Sequence, residues 1–213
     1  MCVLKYEAPV NMDARYRAVK IMARTYTLKR RAEQQAETRL RIVEAAVDLH
    51  RTVGPAATTV SMVAERAGVQ RHTFYAHFPD ERSLLNACSA LSLERDPLPD
   101  AAPWRKIEDS RERLRMGLVA IYRWYGRNAD LAGCVLRDAE HNQLVHETAE
   151  RTWAPYMVAY HDVLGASLSA KQRTMLGLAL SFFTWRTLTR DQGLKQAAAV
   201  KAMAQAVDGA DRA

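Results

Sequence analysis

The sequence has few of the residues that mark secreted proteins, metal proteins and phosphate-binding loops. It contains 3 Cys and 9 Gly in 213 residues. The cysteines Cys2, Cys88 and Cys134 lack a metal-binding spacing, and an odd number of them does not make a disulfide framework. We therefore predict a protein without metal or cofactor that works in a reducing compartment, the cytoplasm.

Long apolar runs and catalytic motifs are also absent. The most apolar segment, residues 176–183, is far shorter than the roughly 20 residues that cross a bilayer, and no secretory signal is recognisable. No nucleophile is paired with a base, and His141 and His146, five positions apart, do not share a helix face. These absences predict that the chain is neither a membrane-spanning protein nor an enzyme.

The apolar residues between Thr59 and Phe78 form a pattern that a single glycine interrupts. Spacings of i, i+3, i+4 and i+7 give one face of a short helix, capped by Thr59, at Val60, Val63, Ala64 and Ala67. Gly68 permits the positive φ of a tight turn, and a second helix follows from Gln70 to Phe78. Because Ala64 is small, the two helices can cross closely. The pattern predicts a helix-turn-helix that reads DNA, or else a plain hairpin of two core helices.

These residues resemble the DNA-binding domain of the TetR family of transcriptional repressors. The resemblance rests on the segments TTV, AERAGV, TFYAHF and ERSLL between residues 58 and 85. The positions that match the family's pattern at the ends of its second and third helices are Thr59, Tyr75, His77, Phe78 and Asp80. Glu81, with Arg82 beside it, departs from the pattern, because family members commonly carry there a Lys that contacts phosphate. The resemblance leaves that contact open.

The chemistry of the side chains divides the predicted DNA contacts into two groups. The start of the third helix faces a major groove when such a helix docks, and we predict base contacts there for Gln70, Arg71, His72 and Thr73. The residues better placed for phosphate oxygens are Thr59, Tyr75 and His77. Each of these side chains could also be an ordinary surface residue of a helix.

Acidic residues are absent from residues 15–31, which carry seven Lys or Arg. Residues 1–85 have fourteen basic against nine acidic residues, whereas the remainder has seventeen against fifteen. We predict that residues 1–31 are a flexible basic arm, which either binds phosphates or the minor groove or is a solvated tail. Met22 could also be the true start, in which case Arg24 and residues 29–31 would still form a basic arm.

Helical periodicity and a proline-rich segment predict two domains in residues 32–213. A first helix over residues 32–53 completes a DNA-binding domain of residues 32–85. A fourth helix over residues 80–94 leads to the proline-rich joint at residues 96–103. Residues 86–213 are predicted to form a second helical domain.

Side chains on three predicted helices of this second domain are candidates for a ligand site. On the fifth helix, residues 104–125, Arg111 falls on the same apolar stripe as Tyr125; we favour an ion pair for Arg111 over a counter-charge to an acidic ligand. A short sixth helix covers residues 127–141, and the seventh, residues 146–164, contains Pro155, which either kinks the helix or resets its start. The side chains that either line a cavity or pack in the core are Tyr125, Trp153, Tyr156, Tyr160, His161 and Phe182.

The predicted eighth and ninth helices, residues 170–190 and 195–207, indicate a homodimer. The eighth has apolar side chains on two sides, and both sides need a cover. The ninth is rich in alanine, which allows helices to approach closely. We predict a four-helix interface between two chains, with the contact residues Trp185, Ala197, Val200, Ala204 and Val207. A twofold dimer in turn predicts a palindromic operator.

The sequence thus predicts an all-α protein of about nine helices, with a three-helix DNA-binding domain followed by a helical ligand-binding and dimerisation domain. The resemblance implies a repressor that leaves a double-stranded DNA operator when an unidentified small-molecule effector binds. One alternative is a regulator of the same fold under redox or partner control, with Cys88 or Cys134 as the sensor, although Cys88 fits a buried thiol better. Another is a peripheral membrane protein, for which the basic arm lacks an amphipathic pattern.

Overall fold

The computed structural model describes residues 12–211, with side chains from Tyr26 onwards except that of Thr27. In this part of the chain all regular structure is helical and no strand is present. The α-helices are α1 Met12–Thr52, α2 Val60–Ala67, α3 Arg71–His77, α4 Glu81–Arg95, α5 Ser110–Ala139, α6 Gln143–Leu164, α7 Ala170–Leu180, α8 Phe182–Arg186 and α9 Gln196–Gly209. A 3-10 turn, Ala102–Lys106, precedes α5, and a π-helical turn, Thr187–Asp191, follows α8. The predicted all-α architecture is confirmed.

Helix α1 begins at Met12 rather than near Ala32 and has 41 residues. Residues 12–31 contain neither Pro nor Gly, so no residue among them interrupts a helix that starts earlier. The predicted arm of residues 1–31 is therefore helical from Met12 onwards, and its residues 1–11 lie outside the described part of the chain.

The chain separates into two compact units, one up to Arg41 and one from Ile42 onwards. This division falls within α1. It coincides with neither of the domain boundaries predicted at residues 31/32 and 85/86, which stay predictions.

A first hydrophobic core lies among the end of α1 and helices α2, α3 and α4. Ile42, Ala46 and Leu49 are buried in it, as the periodicity of the first helix predicts. Val53, which follows the last residue of α1, is instead exposed. Phe78 at the end of α3 is 0% exposed and so ties that short helix to the core.

A second hydrophobic core lies among helices α5 to α9, and α5 packs against both α6 and α9. Leu118, Leu176 and Val207 are each 0% exposed there. Pro155 lies within α6 without ending it. Since α5 contacts most of the other helices, its course decides where the side chains of this core can leave a space.

Helix α5 combines the predicted fifth and sixth helices. It has a kink at Asn128, where φ is −110° and ψ is 16°. The Asn128 side chain donates hydrogen bonds to the Asp96 carboxylate at 2.8 Å and to the Trp124 carbonyl at 3.1 Å, and these bonds hold the kink. The helix starts later than predicted, at Ser110, because the residues before it form the 3-10 turn.

The predicted eighth helix is broken at Ser181 into α7 and α8. Ser181 adopts an extended conformation with φ −68° and ψ 131°, which deprives the last carbonyls of α7 of their helical partners. The buried Tyr122 hydroxyl donates to the Ala179 carbonyl at 2.9 Å, and the Tyr125 hydroxyl donates to the Leu180 carbonyl at 2.6 Å. Burial raises the pKa of both tyrosines, so their hydroxyls stay protonated donors.

Candidate nucleic-acid interface and cavity

The turn between α2 and α3 has the geometry that the sequence predicts. The Thr59 hydroxyl oxygen accepts a hydrogen bond from the Met62 amide at 3.3 Å and so caps α2. Gly68 ends α2 in the left-handed region with φ 64°, and a Cβ on Gly68 would meet no atom within 4 Å. The backbone conformation, and not a lack of space, therefore requires glycine at this turn.

Two phenylalanines fix α3 against the first core. Phe74 and Phe78 are 2% and 0% exposed, with ring centroids 5.9 Å apart. Ala64, where α2 meets α3, is 3% exposed and leaves room for the close crossing. The prediction of a second helix from Gln70 to Phe78 is confirmed, with these two residues as the caps of α3.

The side chains predicted to contact bases lie at the start of α3 and are free to bind a partner. Gln70, Arg71 and His72 are exposed, and Thr73 is half-buried. Among the described residues, neither Gln70 nor Arg71 has a side-chain hydrogen bond or an ion pair. The Thr73 hydroxyl and the His72 ring lie 3.3 Å apart, within hydrogen-bonding distance. An exposed helix start with unsatisfied polar groups is suited to a groove that supplies acceptors and donors.

The side chains predicted to contact phosphates lie at the start of α2 and in the second half of α3. Thr59 is exposed, Tyr75 is 47% exposed and His77 is half-buried. Since the Thr59 oxygen accepts the bond from Met62, its own hydrogen remains available to a phosphate oxygen. Arg82, beside the position of the missing Lys, is paired with Glu147 of α6 at 2.8 Å.

The loop between α1 and α2 is held by the end of α5, a connection that the sequence reasoning missed. The buried Asp138 carboxylate accepts a hydrogen bond from the Ala56 amide at 2.9 Å, and Arg137 donates to the Val53 carbonyl at 3.0 Å. Gly54 has φ 95°, and a Cβ there would overlap both side chains. In the sequence Gly54 indicates only a helix end, so nothing local points to this contact.

A small cavity of about 60 Å³ lies between the two cores and is lined by His50 and Cys88, among others. Burial lowers the pKa of His50 to about 4. The negative charge of Asp138 acts in the opposite direction, but its effect is smaller. Its imidazole is therefore neutral at neutral pH. Cys88 is 4% exposed, which disfavours a sensor role, whereas Cys134 is partly exposed.

A larger cavity of about 680 Å³ opens among α5, α6, α7 and α8; we name it the aromatic cavity. Five of the seven side chains predicted for a ligand site line it, namely Tyr125, Trp153, Tyr156, His161 and Phe182. Lining residues that the sequence reasoning missed include Trp124, His146, Glu150, Met157, Asp162 and Phe183. Most of these follow the helical spacing of α6, the signal by which they could have been found.

Two predicted ligand residues lie elsewhere. Tyr160 is 1% exposed, its hydroxyl donates to the Pro99 carbonyl at 2.7 Å, and its ring packs 5.4 Å from that of Trp104. Tyr160 is therefore a core residue and does not line the aromatic cavity.

Arg111 is exposed rather than part of the buried stripe, and it pairs with Asp208 of α9 at 3.4 Å. The favoured ion pair is confirmed, but the predicted burial is wrong. The buried arginine is Arg113, which donates to the Ile107 carbonyl at 2.7 Å and to the Ser167 hydroxyl at 3.1 Å. The predicted stripe itself is correct at Leu114, Leu118, Ile121 and Tyr125, which are all buried.

The predicted dimer contacts also need correction. Trp185, Val200 and Val207 are at most 3% exposed, covered by helices of their own chain. A side chain that is already covered offers no surface to a second chain, so these three are core residues. Ala197 is exposed and Ala204 is partly exposed, and both remain candidates.

Comparisons with known proteins agree with this geometry. Residues 42–88 match the family model of the bacterial regulatory proteins, tetR family. No curated protein sequence matches the chain. Of the helices between residues 12 and 211, none combines the length and the apolar composition that a bilayer span requires.

Solved structures share the fold over most of the chain. FadR of Bacillus halodurans, a fatty acid degradation regulator, is 18% identical, with 81% of this chain and 95% of that chain covered and a TM-score of 0.59. FadR of Bacillus subtilis in complex with stearoyl-CoA is 18% identical, with 79% and 96% covered and a TM-score of 0.56. A tetR-family transcriptional regulator of Streptomyces coelicolor is 16% identical, with 81% and 79% covered and a TM-score of 0.55. At these identities the likeness concerns the fold alone.

Proposed function

We propose that the chain, whose residues 42–88 match the tetR family model, is a repressor of that family that leaves its DNA operator when a small molecule fills the aromatic cavity. It binds the operator as a homodimer, in the cytoplasm where bacterial DNA lies. The sequence of the operator is palindromic because the dimer is twofold.

One observation carries the DNA-binding part of this proposal. Helix α3 is anchored by Phe74 and Phe78 on one side and presents Gln70, Arg71 and His72 on the other, where they are exposed. A helix that only completed a hydrophobic core would gain nothing from this polar start. Arg71 can donate two hydrogen bonds to a guanine, and Gln70 can bind an adenine edge.

The phosphate contacts follow from the residues around α3. The Thr59 hydroxyl keeps a hydrogen to donate, and Tyr75 projects a phenol from the exposed face of α3. Independently of α3, the exposed residues Lys29, Arg30 and Arg31 of α1 carry positive charge, which attracts a polyanion such as DNA. Arg82 is not included, because its guanidinium is paired with Glu147.

The homodimer is proposed through α7 and α9. Leu178 of α7 is 51% exposed, an apolar side chain without cover in one chain. Ala197 and Ala204 of α9 are small enough for a helix of a second chain to approach. Leu178 thus replaces the buried Trp185, Val200 and Val207 of the sequence prediction, whereas Ala197 and Ala204 are kept from it.

The aromatic cavity supports control by a small molecule. Its volume of about 680 Å³ lies in the range of ligand pockets, and its walls are mostly apolar and aromatic. A protein of the same fold, FadR of Bacillus subtilis, is in complex with stearoyl-CoA, so this fold can accommodate a small molecule.

Helix α5 offers a route from the cavity to the DNA-binding domain. Trp124 and Ala132 of α5 line the cavity on the two sides of the Asn128 kink, and Asp138 at the end of the same helix holds the Ala56 amide. A ligand that changes the kink would move the loop between α1 and α2. We propose that this movement changes the position of the helix-turn-helix.

Selection of bound sequences from random double-stranded oligonucleotides tests the proposal. The purified chain should enrich a palindrome whose half-sites are about one helical turn, or a multiple of it, apart. Enrichment of no sequence over the starting pool would refute sequence-specific DNA binding, and enrichment of an asymmetric site would refute the twofold dimer.

A further inference from the structure

The walls of the aromatic cavity are built from rings that face each other at steep angles. Trp124 and Trp153 have centroids 6.2 Å apart and an interplanar angle of 85°. Tyr125 and Phe182 are 5.4 Å apart at 88°, and Phe182 and Phe183 are 5.7 Å apart at 75°. In such pairs the edge of one ring meets the face of the next, which fixes the rings that line the cavity. The faces carry negative electrostatic potential, which attracts cations.

The ionisable residues that line the cavity include acidic residues but no Lys or Arg. Lys and Arg make up 31 of the 213 residues of the chain, yet neither type is among the side chains lining this cavity. The residues with a full negative charge are Glu150 and Asp162, and the other titratable groups include His146 and His161. The lining thus carries negative charge and, apart from the histidines, no group that can become cationic.

Neither of the two carboxylates forms an ion pair with a described Lys or Arg of the same chain. Among the described residues, neither Glu150 nor Asp162 lies within ion-pairing distance of a Lys or Arg, whereas Glu147 of the same helix is paired with Arg82. Both carboxylates belong to the exposed residues of the cavity rim. Their negative charge is therefore not cancelled within the chain.

Helix α6 sets the position of these charges along the cavity. His146, Glu150, Trp153, Met157 and His161 follow at spacings of four, three, four and four residues, so they share one face of α6. Asp162 comes twelve residues after Glu150, which is roughly 18 Å along a helix axis. The carboxylates thus lie towards opposite ends of the apolar aromatic surface.

We propose that the aromatic cavity selects lipophilic cations, molecules with an apolar or aromatic body and a delocalised or substituted positive charge. This inference rests on the proposed ligand site and names the class of its ligand. The rings bind the apolar body and attract the cation through their faces, and the carboxylates at the two ends attract it further. A polyanionic ligand of equal size meets two unpaired carboxylates and no Lys or Arg to compensate its charge.

A pair of ions that differ in the sign of their charge tests the proposal. Tetraphenylphosphonium and tetraphenylborate have nearly the same shape and apolar surface, so their affinities for one cavity differ mainly through charge. Titration calorimetry with the full-length chain should give a Kd for the phosphonium that is lower by roughly tenfold or more, as two partly exposed carboxylates allow. Quenching of tryptophan fluorescence, reported by Trp124 and Trp153, provides a second readout.

Charge variants locate the origin of the preference. The double variant Glu150→Gln with Asp162→Asn should reduce the difference between the two ions to within about threefold, mainly by weakening the phosphonium. The matched control Glu94→Gln with Asp191→Asn makes the same change in net charge at exposed positions away from the cavity. The control variant should keep the preference for the phosphonium over the borate. This result would show that the preference comes from Glu150 and Asp162 and not from the net charge of the whole protein.

The possible results separate the ligand class from the ligand site. If tetraphenylborate binds as tightly as the phosphonium or more tightly, the cavity stands as a binding site and the cation preference is refuted. A preference that survives in the Glu150 and Asp162 variant refutes the role of these carboxylates. If neither ion binds at concentrations up to the millimolar range, the cavity as a ligand site, and with it the proposed small-molecule control, is contradicted.

Discussion

Two side chains of α3, Arg71 and Tyr75, have different proposed roles in DNA recognition. Arg71 and Tyr75 lie one helical turn apart, both exposed, but one is a charged donor with a forked end and the other a phenol. A guanidinium can discriminate between base edges, whereas a phenol hydrogen bond to phosphate is the same for every sequence. Substitutions at the two positions should therefore have different signatures.

We expect Arg71→Ala to weaken operator binding by about 1–3 kcal/mol and to relax the preference at one base pair. Tyr75→Phe should weaken binding to operator and random DNA by equal factors. Fluorescence anisotropy at one fixed salt concentration, with operator and scrambled duplexes, measures both. If Arg71→Ala weakens both duplexes equally, its role as a base-reading residue is wrong.

His50 gives the stability of the protein a dependence on pH. Because burial lowers the pKa of His50 from 6.5 to about 4, the unfolded chain binds a proton more readily than the folded one between these values. Its contribution is fully present above pH 6.5 and is lost as the pH falls towards 4, an effect of about 3 kcal/mol. Urea unfolding at several pH values should show this loss.

The variant His50→Gln should lack this component of the pH dependence while other titrations remain. His141, whose side chain is 80% exposed, provides the control, and His141→Gln should keep the wild-type profile. An identical slope between pH 6.5 and 5 in wild type and His50→Gln would contradict the buried neutral imidazole.

At the scale of elements, the break between α7 and α8 depends on another helix. The broken turn leaves the Ala179 and Leu180 carbonyls without amide donors, and two hydroxyls of α5 bind them. The break therefore needs tertiary partners, because an unsatisfied buried carbonyl costs about 1–3 kcal/mol. The Ser181 backbone, stabilised in this way, forms part of the aromatic cavity.

Tyr122→Phe and Tyr125→Phe should each lower the free energy of unfolding by about 1–3 kcal/mol, since each removes a donor and leaves a buried carbonyl unpaired. Denaturant unfolding followed by circular dichroism measures the loss. Tyr75→Phe, which removes an exposed hydroxyl, should change stability by less than about 0.5 kcal/mol. Equal effects of all three variants would refute the role of the hydroxyls at the break.

On our proposal, the whole molecule acts as a pair of chains. Fewer residues are available for their contact than the sequence predicts, because three of the predicted contact residues are buried within one chain. Trp185 of α8 and Val200 and Val207 of α9 are buried in the core of one chain, and exposed Leu178 and Ala197 are left for the partner. Twofold symmetry doubles every DNA contact and each interface contact. Loss of the dimer should therefore affect operator binding far more than the fold.

Leu178→Glu combined with Ala197→Glu should convert the dimer to a monomer in sedimentation velocity at micromolar concentration, since each charge appears twice in a closed interface. The far-UV circular dichroism spectrum should stay unchanged because both positions are exposed. Met116→Glu on α5, an apolar residue 40% exposed, is the control and should remain dimeric. A dimer that survives the double variant would place the interface elsewhere.

The sequence alone determined the helix-turn-helix, because a cap, a glycine and an apolar spacing act within about twenty residues of one another. It also identified four of the six aromatic residues that line the cavity, Tyr125, Trp153, Tyr156 and Phe182. Only the tertiary structure decided which arginine of α5 is buried, because the acceptors that satisfy Arg113, the Ile107 carbonyl and the Ser167 hydroxyl, belong to other segments of the chain.

The tertiary structure also decided where the eighth helix breaks and which apolar side chains one chain covers by itself. Those outcomes depend on hydrogen bonds between residues that are distant in sequence. Examples are the bond from the Tyr122 hydroxyl to the Ala179 carbonyl and the bond from the Ala56 amide to the Asp138 carboxylate. The periodicity of a helix gives the side that must be covered. It does not say whether the cover comes from the same chain, from a second one or from a ligand.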